Sequence, residues 1–138
     1  MLILNEELWD DDNIIKFYCS DNWGKDDTFV MTQCALDRLK TLLIDCYDNN
    51  KEGILLCDCN KGVFPPMQQA LQIVSFMVSI KEQIENGLAY TIVYAKSQEN
   101  RNWVNSILKL YTPSKPVYIV SSKAEVKELL LKKVAVTN

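Results

Sequence analysis

From Ile54 onward the sequence alternates short β-rich runs with longer stretches of helical period. That alternation restricts the chain to a few layered architectures. The runs ILLCDC (Ile54–Cys59), YTIVYA (Tyr90–Ala95) and VYIV (Val117–Val120) have strand length and strand composition. ILLCDC is almost continuously apolar, the pattern of a strand covered on both faces. Between the runs lie Met67–Asn86, stopped by Gly87, and Asn100–Tyr111, ended by Pro113 and Pro116. Pro66 fits the first turn of the helix it precedes, where a missing N–H costs nothing. The second helix carries Trp103, Val104, Ile107, Leu108 and Tyr111 on one stripe. Ser122, with Glu125 three residues later, reads as a capping box opening a last helix whose apolar face is Val126, Leu129 and Leu130. Strands returned by helices imply parallel pairing through right-handed crossovers.

Upstream, Cys34–Tyr47 repeats Ala35, Leu39, Leu42, Leu43 and Cys46 at helical spacing, and Asn49 to Gly53 stops it. Asn13–Cys19 (NIIKFYC) and Thr28–Thr32 (TFVMT) read as strands joined by a turn at Asp21 to Lys25, which predicts an N-terminal hairpin. Met1–Leu4 adds a short edge strand. The expectation is one α/β domain over residues 1–138, with a mixed sheet of about five strands, an N-terminal hairpin and alternating βα units. A chain of 138 residues is long enough to build its core without metal or disulfides.

The missing residues narrow the chemistry. There is no His, which removes the commonest general base and excludes Ser-His-Asp and Cys-His arrangements within one chain. Neither GxGxxG nor GxxxxGK[ST] occurs, so the usual phosphate-cradling loops are missing. No enzyme activity and no cofactor are expected. An Asp-, Lys- or Cys-dependent enzyme is the competing reading, with Asp58 as its test residue. The net charge of −3 argues against a nucleic-acid partner. No apolar run reaches the roughly 20 residues of a membrane span. Five cysteines, an odd number, and an apolar Met1–Leu4 followed at once by acidic residues point to a reducing, cytoplasmic compartment.

Two groups of residues stand out as candidate sites. If the strands are parallel, Asp58, Asn60, Lys61, Lys96, Ser97, Ser121, Ser122 and Lys123 share the rim at the strand C-termini, beside helix N-termini that favour anions. The rim reads either as a site for a small anion or lipid headgroup, or as ordinary caps and loop lysines. On Met67–Asn86, Met67, Ala70, Leu71, Val74, Met77 and Val78 form an apolar face. The opposite side, with Gln68, Gln72, Ser75 and Ser79, carries almost no charge. Interface cores show the same depletion, so this side is a candidate contact surface. The plainer alternative is a buried helix with a polar back. Cys57-Asp58-Cys59 lacks a second close pair to complete a zinc site, and it reads best as small hydrophobes on a buried strand. Acidic residues gather before Phe29, and Lys109, Lys115, Lys123, Lys127, Lys132 and Lys133 gather near the end. Such halves can attract each other between subunits or simply stay solvated. Trp9 and Trp23 read as sheet cover or as exposed anchors.

The order of ILLCDCN, YTIVYA, NRNWVNSILKLYTP and KPVYIVSSKAEVKELL over Leu36–Leu131 resembles STAS and SpoIIAA-like domains, and more distantly CRAL-TRIO domains. The resemblance implies an interaction or ligand-sensing domain, often dimeric, without catalysis. Regulatory STAS domains carry a phosphorylatable Ser at the start of the helix after the Asp-ended strand. This chain has Val63-Phe64-Pro65-Pro66-Met67 there, so no phospho-switch is expected. CRAL-TRIO lipid pockets use a longer chain, so lipid transfer is not expected either. The leading expectation is a non-enzymatic protein-interaction module that self-associates as a homodimer, in a regulatory or virion setting. The alternative is a domain binding a small anionic ligand or a lipid headgroup.

Overall fold

The computed structural model describes residues 2–5, 14–19, 28–60 and 67–137. Five strands form one sheet in sequential order: β1 (Leu2–Asn5), β2 (Ile14–Cys19), β3 (Gly53–Asp58), β4 (Leu88–Tyr94) and β5 (Val117–Val120). β2 to β5 are parallel, and β1 joins β2 antiparallel at the edge. The helices are α1 (Thr28–Asp48), α2 (Met67–Ser79), α3 (Lys81–Gly87), α4 (Gln98–Leu108) and α5 (Lys123–Thr137).

The register sorts the side chains. Ile15, Leu55, Thr91 and Val117 form one row across the sheet, and Phe17, Cys57, Val93 and Ile119 form the next on the same face. Ile54 and Tyr90, Leu56, Ile92 and Tyr118, and Asp58, Tyr94 and Val120 belong to the other face. Sequential parallel strands with right-handed crossovers put every connecting helix on one side. Accordingly, Leu39, Leu42 and Leu43 of α1 and Ile84 of α3 pack with Ile15, Phe17 and Leu55. Val104 and Trp103 of α4 pack with Val93 and Ile119. The second face is left to α5, whose Val126, Leu129 and Leu130 meet Ile54, Ile92, Tyr94 and Val120. Tyr90 ties that helix down by donating its hydroxyl to the Leu129 carbonyl at 3.3 Å, with Tyr118 edge-on to its ring.

Three expectations are corrected. Thr28–Thr32 is not a strand but the first part of α1, so there is no hairpin between it and Asn13–Cys19. The antiparallel pair is β1 with β2 instead. The reason lies in the buried stripe of α1, which runs Thr32, Leu36, Leu39, Leu43 and Cys46 at helical spacing. That period outweighs the β-branched composition of the segment. The turn placed at Asp21 to Lys25 lies outside the described residues. Second, Met67–Asn86 is not one helix: it breaks at Ile80 (φ −107°, ψ 25°). Ser79 donates its hydroxyl to the Phe76 carbonyl at 2.6 Å, a back-bond that bends helices, while Ile80 turns fully into the core. Third, α2 is rolled relative to the expected orientation. Leu71 and Val78 are 49% and 58% exposed, while Gln72 is half-buried. Phe76 and Met77 pack against the core cluster containing Ile80, which orients the helix.

The stop after α1 is as expected. Asn50 takes a left-handed φ of 56°, and Lys51 and Asn50 donate backbone N–H groups to the Cys46 and Tyr47 carbonyls at 2.8 and 3.1 Å.

Candidate functional site

The strand C-termini do form a common rim, and most of its polar groups bond to one another. Asn60 donates its backbone N–H and its side-chain NH₂ to Asp58 Oδ1 at 3.1 and 2.9 Å. Asn60 Oδ1 accepts the Lys96 backbone N–H at 2.7 Å, joining the ends of β3 and β4. Ser97 caps α4 by accepting the Asn100 N–H at 3.1 Å. Ser121 and Ser122 form a separate group around Glu125, both hydroxyls donating to its Oε1 at 2.9 and 3.2 Å. Ser122 Oγ in turn accepts the Glu125 N–H at 3.2 Å. A carboxylate therefore already stands at the α5 N-terminus, where an anion would sit. Lys96 and Lys123 are exposed, and the Lys96 ammonium lies 5.9 Å from the Tyr94 ring centre. Lys61 lies outside the described residues.

Sequence reasoning missed Arg101. Its Nη1 donates to the Ala95 and Lys96 carbonyls at 2.9 and 2.8 Å, and Nη2 donates to Gln98 Oε1 at 3.0 Å. Asn100 Nδ2 adds a bond to the Cys59 carbonyl at 2.8 Å. Together these side chains hold the two loops that leave β3 and β4.

On α2, Gln72 Nε2 donates to Gln33 Oε1 of α1 at 3.3 Å, which places Gln72 against a neighbouring helix. Ser75 and Ser79 are exposed, and Gln68 stands in the first turn.

A cavity of about 180 Å³, almost wholly apolar, is a feature that the sequence did not reveal. α2 and α4 are crossovers on either side of β4, and they leave a gap over it. The floor is Leu55, Cys57, Thr91, Val93 and Val117, all on the helix-covered face. One wall is Ala70, Ile73, Val74 and Met77 of α2, and the other is Trp103, Val104, Ile107 and Leu108 of α4. Phe17, Cys59, Ile84 and Leu88 complete the inner lining, and Tyr111, Pro113, Ser114 and Lys115 close the lower end. Burial raises the Tyr111 hydroxyl above its ordinary pKa and keeps it protonated. Asp58 borders the cavity, but alternation along β3 turns its side chain to the α5 face. Apolar walls of this extent are typical of ligand pockets.

Among the described residues no cluster of three His, Cys, Asp or Glu could hold a metal. No helix among them is long and apolar enough to cross a membrane. No family model, no curated protein and no solved structure matches this chain, so the site is read from its own geometry.

Proposed function

We propose that the chain is a non-catalytic binding domain that takes a small apolar molecule into the cavity between α2 and α4. The observation that carries this reading is the cavity's size together with its lining of aliphatic and aromatic side chains. At about 180 Å³ it slightly exceeds the roughly 150 Å³ apolar cavity that stays dry and accepts benzene. The absence of His from the sequence removes the commonest acid–base group, in keeping with binding rather than turnover. Thermal unfolding with benzene-sized and short-chain apolar probes tests the reading. A probe at a hundred times its dissociation constant adds about 2.7 kcal/mol of stability. Val74→Phe, which fills the cavity, removes the gain. If no probe raises the melting temperature of the unmodified chain, the reading fails.

Self-association is a second reading, favoured by α2 itself. Leu71, Ser75 and Val78 recur at helical spacing and all three are exposed. Two such stripes would form a dimer core of low charge. Light scattering at micromolar concentration tests it: a dimer that Val78→Glu converts to monomer supports the reading, and a strict monomer removes it.

A further inference from the structure

We infer that the molecule held between α2 and α4 is a small amphiphilic monocarboxylate, with its apolar body inside and its carboxylate at Lys115. This rests on the cavity reading above and specifies the ligand class. Among the described residues that line the cavity, Asp58 and Lys115 are charged, and Asp58 points to the α5 face, which leaves Lys115 on the cavity's side. It is half-buried and has no hydrogen bond or ion pair among the described residues. An ammonium beside apolar walls is less screened than one in open water, so a carboxylate gains more there than at a free surface. The neighbouring Ser114 lines the same end and offers a hydroxyl donor to the second carboxylate oxygen. Pro113 and Pro116 flank the pair and restrict its backbone, which reduces the ordering cost of binding.

The position of Lys115 also sets the ligand's direction. Lys115 precedes β5, at the strand N-termini, whereas Asp58 ends β3 at the opposite edge of the parallel sheet. A carboxylate paired with Lys115 therefore lies at the first end. The body then lies along β4, against Trp103 and Ile107. The cavity volume limits that body to a single ring or a short chain. A neutral analogue fills the same space but leaves the ammonium where it was, and an amine places like charges together.

Titration of the full chain with octanoate, octanol and octylamine at low ionic strength, followed by calorimetry, tests the inference. Octanoate binds about tenfold more tightly than octanol, and octylamine binds more weakly than either. Lys115→Gln lowers octanoate to the octanol level and leaves octanol unchanged. Raising the salt to 0.5 M narrows the octanoate preference in the unmodified chain, a readout independent of any variant. Equal affinity for octanoate and octanol overturns the carboxylate assignment while the cavity reading stands. Binding of none of the three overturns both.

Discussion

Gly87 and Leu43 meet backbone to backbone: a Cβ added at Gly87 would run into the Leu43 carbonyl oxygen. The contact seats the end of α3 on the C-terminal half of α1 and sets where β4 begins. Gly87 thus does more than stop a helix, because no other residue allows so close an approach. Gly87→Ala is expected to lower stability by about 2–3 kcal/mol, since main chain on both sides must move. Urea unfolding checks this, and an unchanged midpoint would remove the contact's role.

Asn60 and Arg101 hold the rim that the strand ends share. Asn60→Ala removes the link from Asp58 to the Lys96 N–H and is expected to cost about 1–2 kcal/mol. Arg101→Lys keeps the charge but loses the fork that serves the Ala95 and Lys96 carbonyls, with a similar loss. Hydrogen exchange at Lys96 and Ser97 rises in both variants if these bonds order the loop.

How much of this was legible in the sequence follows from which signals are local. The strands Gly53–Asp58, Leu88–Tyr94 and Val117–Val120 are readable to within two residues, as Ile54–Cys59, Tyr90–Ala95 and Val117–Val120, because apolar runs lie between turn signals. The parallel order followed from the helices between them, and the capping role of Ser122 from its spacing to Glu125. Thr28–Thr32 was misread because its residue types favour strands, while the stripe continuing through Thr32, Leu36 and Leu39 makes it helix. The bend at Ile80 has no Pro or Gly to announce it. Arg101 looked like any basic residue on a helix, since its partners are backbone carbonyls just upstream. The cavity was not readable, because it depends on how far apart two apolar stripes settle over β4.

Cys46 gives the fold a dependence on alkaline pH. Burial, reinforced by Asp45 and partly opposed by Lys51, raises its thiol from 9.0 to about 11. The unfolded chain releases this proton first, so between pH 9 and 11 it binds fewer protons than the folded chain. The contribution is intact below pH 9 and is lost as pH rises through the folded value. Tyr90, raised by burial and then by Tyr118, adds in the same direction at higher pH. Chemical denaturation across this range should show stability falling with pH, with a shallower slope in Cys46→Ala. The exposed Cys34 should react with a thiol reagent in the folded state while Cys46 stays protected.

Thr32 is 0% exposed, and its hydroxyl has no partner among the described residues. Thr32→Val keeps the shape and removes the unpaired polar group. The expected result is a gain of about 1 kcal/mol, read as a higher melting temperature. A loss of that size would reveal a hydrogen bond to the hydroxyl.

The central claim is that the gap between α2 and α4 is a binding cavity, and methyl NMR tests it most directly. With benzene as the probe, the account predicts saturable shifts at Ala70, Ile73, Val74, Val104 and Ile107, with Val126 and Leu129 on the α5 face unmoved. Shifts spread evenly over both faces of the sheet, or no saturation, would contradict it.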